Sequence, residues 1–267
     1  MKKYMSIFRI KFLNGLQYRV AALAGLATQF AWGGLLVLLY KAFYETDPSR
    51  FPMTMQQTAS YIWLQQAFLT LFASWYTDDS IFDCITDGSV AYELTRPVNL
   101  YSMWFARNVG MRLARAVLRC FPVLIFAMLL PAPYGLTLPK LDAQTVGFLV
   151  SGALTLHIVV AYTMLSYVVT FWTMSARGVR VMFQTWCSIF AGELIPIPFL
   201  PSAVRRIVEL SPFAFMQDTP LRIYSGSIAG ADIAYHMLGQ VIWLGILVGL
   251  GLYLMRRALR RVVAQGG

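Results

Sequence analysis

Long apolar blocks, without the regular polar positions of a soluble helix, dominate the chain. The stretch Val20 to Tyr40 holds no charged residue over twenty-one positions, and Thr145 to Thr173 holds none over twenty-nine. A helix in a soluble domain would show a polar face in every turn, and these blocks do not. Because about 20 apolar residues in a helix cross a bilayer core, the pattern predicts an all-α integral membrane protein.

The pattern predicts one transmembrane domain over residues 1–267 with about six spans. These spans are about Val20–Tyr40, Ala59–Tyr76, Ala116–Leu130, Thr145–Trp172, Val181–Ile195 and Ile233–Met255. Ahead of them, residues 1–19 mix aromatic and aliphatic positions with Arg9 and Lys11, which is typical of an amphipathic helix at the membrane interface. The stretch 196–230, between spans five and six, is proline-rich and semi-polar, so we expect a re-entrant outer region there.

Composition and charge placement support this topology. The chain is 58% hydrophobic and 13% charged, whereas soluble domains have about 25% charged residues. If six spans start from an inner N-terminus, sixteen Lys and Arg residues fall on the inner side and six on the outer side. The positive-inside rule therefore predicts cytoplasmic N- and C-termini. The net charge of +10 then reflects orientation and anionic lipid headgroups, and nucleic acid is not an expected partner.

The sequence offers no chemistry of its own that would make the chain an enzyme. None of its lysines follows a glycine, so a phosphate-binding loop is absent, and no catalytic, cofactor-binding or metal-binding residue is predicted. His157 is alone in mid-span, where it serves either helix packing or a proton relay. Glu193 lies at the outer end of span five, either at the interface or on an exit path. The cysteines Cys84, Cys120 and Cys187 are too widely spaced for a disulfide framework or a zinc site.

Three arginines precede the third span. At 100° per residue Arg112, Arg115 and Arg119 share one helix face, so the helix is expected to begin in the cytoplasm and to enter the bilayer near Arg119. Two interpretations stay open for this face. Its side chains either bind an acidic partner or extend to lipid phosphates.

The longest polar stretch, residues 78–100, is predicted to be cytoplasmic. It mixes acidic residues with apolar ones such as Ile85, while Gly88 marks a break and Pro97 a stop. A short helix over about Ser89–Thr95 would lie along the membrane and present a mixed face to a soluble partner. The alternative is a solvated connector.

This stretch resembles the coupling segment of the type-2 permease family of ABC transporters, which are six-helix membrane subunits of ABC exporters. The residues that carry the resemblance are Ile85, Asp87, Gly88, Tyr92, Glu93, Leu94, Arg96 and Pro97. The resemblance continues in Glu193-Leu194-Ile195-Pro196, Ser211-Pro212-Phe213, the closing basic run and Gly266-Gly267. It is greatest with a subfamily described as permeases of uncharacterised transport systems.

The resemblance implies a permease that moves a substrate across the inner (plasma) membrane at the interface of a permease dimer. Its partners would be cytoplasmic ABC ATPase subunits, which bind ATP and Mg, a second identical or related permease chain, and membrane lipids. The implied outer gate consists of Glu193, Pro196, Pro198, Pro201, Pro212 and Phe213. The alternatives are a permease that exports a lipid-linked polysaccharide and a membrane scaffold subunit that transports nothing.

Overall fold

A computed structural model describes residues 2–17, 19–138 and 142–260. All regular structure in these ranges is helical, which confirms the all-α prediction. The closing Gly266 and Gly267, which the resemblance included, lie outside the described residues, as do Met1 and Arg261.

The helices fall into a first half that ends with two very short helices and a second half that begins with two very long ones. The first half contains α1 (Lys2–Leu16), α2 (Arg19–Thr46), α3 (Met55–Ala67), α4 (Leu69–Phe72), α5 (Asp79–Thr86) and α6 (Val90–Leu94). The second half contains α7 (Leu100–Leu129), α8 (Ala143–Thr173), α9 (Ala176–Phe190), α10 (Ser202–Leu210), α11 (Asp218–Ser225) and α12 (Ala231–Leu259). Short 3-10 helices cover Pro48–Arg50, Ile197–Phe199 and Pro212–Phe215.

Within the described residues, three helices are long and apolar enough to cross a membrane. They are Ala24–Thr46 within α2, α8 and α12. The other three predicted spans correspond to α3 with α4, to α7 and to α9. The α7 helix carries four arginines, and α9 has 15 residues, or about 22 Å, which is less than the thickness of a bilayer core. The count of six spans therefore stays a prediction.

Side-chain caps set the starts of several helices. Thr54 and Gln57 form a capping box at the start of α3, in which each side chain binds the backbone N–H of the other. Asn99, Asp142 and Ser175 each accept a backbone N–H in the first turn of α7, α8 and α9. These caps satisfy N–H groups that have no partner within the helix.

The centre of the bundle is α8, which contacts α5, α7, α9, α11 and α12. Ile158, Val159 and Val160 on α8 are fully buried. The N-terminal helix α1 lies along the first half of α7, as the close approach of Gly110 to the Phe8 carbonyl shows. A Cβ atom at Gly110 would lie 2.8 Å from that oxygen. The interfacial location predicted for residues 1–19 thus corresponds to a helix held against α7.

The stretch 196–230 folds into two helices with different surroundings. The α11 helix contacts α3 and α8, and its first four residues are buried. The α10 helix is more exposed, and Ile207 and Leu210 are each more than two-thirds accessible. This pattern of burial is expected if α10 faces the membrane and α11 is enclosed by protein. How deeply the stretch enters the membrane stays a prediction.

Candidate functional site

The 78–100 segment folds into the two short helices α5 and α6, and Gly88 lies between them with a φ of +79°. A left-handed φ is costly for residues with a Cβ atom, so glycine suits this turn. Ile81, Phe82 and Ile85 are buried in a cluster with side chains of α7 and α8. The α5 part of the segment is therefore packed against the bundle, and the choice between a coupling segment and a solvated connector stays a prediction.

Arg107 on α7 joins the two short helices. Its Nη2 donates to Asp78 Oδ2 at 2.9 Å and to Ser80 Oγ at 2.7 Å, before and within α5, and its Nη1 donates to Glu93 Oε1 on α6 at 3.0 Å. The Trp104 indole N–H donates to the other oxygen of Glu93. One guanidinium thus bridges two carboxylates and fixes both helices to α7 through charge-assisted hydrogen bonds.

Asp78 connects the segment to two more helices, α1 and α8. Its carboxylate pairs with Lys11 of α1 at 3.5 Å, and its backbone N–H donates to the Tyr167 hydroxyl of α8 at 2.8 Å. The Tyr167 hydroxyl in turn donates to Asn108 Oδ1 on α7 at 3.0 Å. Burial alone would raise the pKa of the Asp78 carboxyl, but the Arg107 guanidinium, the Ser80 hydroxyl and the Lys11 ammonium hold it below its usual value.

The eight residues predicted for ATPase coupling divide into two groups. Ile85 is buried and Glu93 is bound to Arg107, so both face the bundle. Tyr92 is 77% exposed and Leu94 is 42% exposed. The other four, which are exposed as well, are Asp87, Gly88, Arg96 and Pro97. The outward group forms a surface around the Gly88 turn and α6, and the inward group holds that surface in place.

Sequence reasoning missed the residues that anchor the segment. Asp78, Trp104 and Arg107 were not among the predicted site residues, although they form its central contacts. A signal was present, because Arg107 lies early in the helix and follows a segment rich in acidic residues. The position of its acidic partner, 29 residues earlier in the chain, could not be inferred from spacing.

Arg112 is fully buried and binds the chain just after α4. Its guanidinium donates to the carbonyls of Leu71 at 3.1 Å, Ala73 at 2.7 Å and Tyr76 at 2.8 Å, and to Thr163 Oγ1 at 3.1 Å. The α4 helix ends at Phe72 and the chain is not helical again until α5, so these carbonyls have no partner within a helix. The expectation that Arg112 extends to lipid phosphates is therefore wrong, because these interior carbonyls bind it.

The other two arginines of that face contact the same stretch. The Arg115 guanidinium lies 5.2 Å from the centre of the Tyr76 ring, and Arg119 Nη1 donates to the Tyr76 hydroxyl at 3.1 Å. Arg119 also lies against Gly25 of α2, where a Cβ atom would come within 3 Å of its guanidinium. This face of α7 thus supports the chain between α4 and α5.

The residues predicted for an outer gate do not form one cluster of exposed side chains. Glu193 follows α9 and accepts a hydrogen bond from Ser188 Oγ at 2.8 Å, and its backbone carbonyl accepts one from Gln65 of α3 at 2.9 Å. Phe213 packs between the rings of Tyr162 and Phe190. Pro196 and Pro198 are buried, Pro201 is exposed, and Pro212 is half-buried. A gate built from these residues stays a prediction.

The described residues contain no group of three or more histidine, cysteine, aspartate or glutamate side chains that could hold a metal ion. The mid-span His157 bonds through Nδ1 to the Ala153 carbonyl of its own helix at 2.7 Å. This contact is compatible with a packing role.

Comparison with known proteins identifies the family. The sequence model described as ABC-2 family transporter protein matches residues 30–266, which include the 78–100 segment, the face of α7 that anchors it and the stretch 196–230. No curated protein matches the chain. A match over most of the sequence, on an all-helical fold with long apolar helices, shows that the chain belongs to the ABC-2 transporter family and is a membrane permease of an ABC transporter.

Proposed function

We propose that the chain is the permease subunit of an ATP-driven exporter and that separate cytoplasmic ATPase subunits, which bind ATP and Mg, dock on the 78–100 segment. The observation that carries this proposal is the division of the segment into an outward and an inward group. Tyr92 and Leu94 are exposed on α6, whereas Glu93 between them is fixed to Arg107. An exposed tyrosine and leucine on a rigidly held short helix suit a protein partner.

The contacts of the segment supply a route from the docking surface to the bundle. Movement of α6 would act on α7 through the contact between Glu93 and Arg107. Movement of α5 would act on α8 through Asp78 and Tyr167, and on the end of α4 through the chain that Arg112 holds. Coupling of this kind requires that the ATPase binds two states of the permease with different affinity.

The proposed topology has six spans, with both termini in the cytoplasm and the chain in the inner (plasma) membrane. A second permease chain, identical or related, would pair with this one, and substrate would cross at their interface. The α2 helix supports pairing, because Ala27, Ala31 and Gly34 lie at helical spacing on a face with little cover. Small residues let two helices approach closely in a bilayer. Lipids would cover the remaining apolar surface, and residues 196–230 would line the exit.

Co-purification with the candidate ATPase tests the docking surface. We expect the tagged wild-type chain in detergent to retain the ATPase, and Tyr92→Asp and Leu94→Asp to lose it. Leu138→Asp is the matched control, since Leu138 is 69% exposed in the connection between α7 and α8. It introduces the same charge away from the segment and should retain the ATPase.

The other outcomes are also informative. Equal binding by all three variants would place the docking site outside the 78–100 segment. Failure of the wild-type chain to bind any ATPase would contradict the exporter proposal and would favour the scaffold alternative.

A further inference from the structure

A groove on the outside of the bundle is lined by α1, α7, α8 and α12. Its volume is about 930 Å³, within the range of small-molecule sites in proteins. Its wall along α7 extends from Tyr101 to Val109, or about 12 Å. Phe105, Val248 and Leu252 contribute apolar side chains to it. The groove therefore offers a hydrocarbon surface that the described residues leave open.

Basic residues on α1 border this groove. Lys2 and Arg9 are exposed and both contribute to the lining, whereas none of the lining residues is acidic. Neither side chain forms an ion pair or a hydrogen bond with another residue in the described part of the chain. The two cations are thus free to bind an anion at the open side of an apolar groove.

A third feature is the hydroxyl of Tyr101. Tyr101 is 3% exposed and lines the groove, and its hydroxyl has no hydrogen-bond partner among the described residues. The hydroxyl lies against Gly251 of α12, where a Cβ atom would come within 2.7 Å of it. A buried hydroxyl without a partner costs free energy, so an acceptor on a ligand would stabilise it.

We propose that this groove binds one anionic phospholipid. Its phosphate would lie at Lys2 and Arg9, one acyl chain would lie against Phe105 and Leu252, and an ester oxygen would accept a hydrogen bond from Tyr101. This placement puts the bilayer boundary nearer the start of α7 than the entry near Arg119 expected from the sequence, and the stacking of Phe105 on His157 of α8 agrees with it. A lipid fits better than a water-soluble ligand because the groove is lined mainly by apolar side chains, among them Met5 on α1, which is 66% exposed. Basic pockets beside transmembrane helices are suited to anionic headgroups.

The proposal goes beyond ATPase docking and does not depend on it. The test uses the purified full chain, to which phosphatidylglycerol or phosphatidylcholine is added, and native mass spectrometry measures bound lipid. We expect tighter binding of phosphatidylglycerol. The double variant Lys2→Glu/Arg9→Glu should weaken that binding by about tenfold or more, since each surface cation contributes appreciably to the attraction for anionic lipid. The matched control is Arg177→Glu/Arg206→Glu, which reverses two exposed charges away from the groove.

Two further variants test the apolar part of the site. Ala106→Trp places a large side chain in the groove without a change in charge, and should reduce retention of both lipids. Tyr101→Phe removes only the hydroxyl, and should weaken binding about threefold or more. Circular dichroism and size-exclusion chromatography report whether each variant is folded, and the exposed Lys2 and Arg9 changes should not affect either.

Undiminished phosphatidylglycerol binding by the Lys2→Glu/Arg9→Glu protein would overturn the proposal. So would equal binding of the two lipids by the wild-type chain, or full lipid retention by a folded Ala106→Trp variant. ATPase co-purification should stay unchanged in all of these variants, so that a failure of the lipid site is distinguishable from a failure of the proposed function.

Discussion

At the scale of single residues, Asp78, Glu93 and Arg107 decide how the 78–100 segment is held. The side chains of all three are less than a fifth exposed. Ion pairs of this kind contribute through geometry and hydrogen bonding, and removal of one partner leaves a buried charge without compensation. The three residues therefore position the docking surface without forming part of it.

Loss of the bridging guanidinium should loosen both short helices. We expect Arg107→Met to lower the free energy of unfolding by about 3 kcal/mol, because two carboxylates lose their partner. Thermal unfolding in detergent measures this effect. The control is Arg96→Met, which removes an exposed arginine from the same segment. An equal, small effect of both changes would show that Arg107 does not hold the segment.

The contribution of Asp78 should depend on pH in a defined direction. Its pKa is lowered in the folded state, so its stabilisation is fully present above the unfolded value of about 3.9 and is lost as the pH falls through the lower folded value. The difference in melting temperature between wild type and Asp78→Asn should be constant from about pH 5 to 8 and should shrink below about pH 4. A difference that grows toward low pH would contradict this account.

Cys84 on α5 should be a poor nucleophile. Burial and the nearby charge of Glu93 raise its pKa to about 12, and only the thiolate reacts quickly. At pH 7.5 we expect slow modification by a maleimide, followed by mass spectrometry of the peptide. The reference is the exposed thiol of a Tyr92→Cys variant, which should react much faster. Similar rates at the two positions would show that α5 is not packed as described.

At the scale of elements, sequence pattern located helices better than it located their interruptions. The helix predicted over about Ser89–Thr95 corresponds to α6. The prediction was possible because Gly88 before the helix and Pro97 after it have strong conformational preferences that interrupt a helix. The end of α4 at Phe72 was missed, since the predicted second span continued to Tyr76. That stretch is mostly apolar, and the reason for the break lies in Arg112, about 40 positions further along the chain.

Arg112 should be essential to the path between α4 and α5. Arg112→Met keeps much of the volume and leaves three carbonyls without their donor, each at a cost of about 1–3 kcal/mol. We expect a large drop in melting temperature in detergent and faster proteolysis between α4 and α5. Arg115→Met, which removes only a contact with the Tyr76 ring, should have a small effect. A mild effect of Arg112→Met would mean that water replaces the guanidinium.

At the scale of the whole molecule, the apolar pattern was sufficient to predict an all-helical membrane protein, but not to determine its arrangement. The α8 helix lies at the centre because helices of both halves of the chain pack against it. Its uncharged run of twenty-nine residues is longer than the run of twenty-one in α2. Whether an apolar residue faces protein or lipid could not be predicted, because both surroundings favour the same side chains.

Pairing of two chains should be detectable through α2. Leu35 is 59% exposed and follows the small residues of that helix, so Leu35→Cys should cross-link two chains in membranes under mild oxidation. The matched control is Leu250→Cys on α12, where the wild-type leucine is 44% exposed. We expect this variant not to cross-link. If Leu250→Cys cross-linked and Leu35→Cys did not, the interface between the two chains would lie at α12 and not at α2.

The arginine that closes the break after α4 has a consequence for the permeability of the membrane. A broken helix in a bilayer usually draws in water, and a chain of water molecules conducts protons. Here a guanidinium satisfies the free carbonyls directly, and an arginine does not give up its proton at physiological pH. In the predicted second span, the interruption after α4 would therefore need no chain of water molecules, and the electrochemical gradient across the membrane would be preserved.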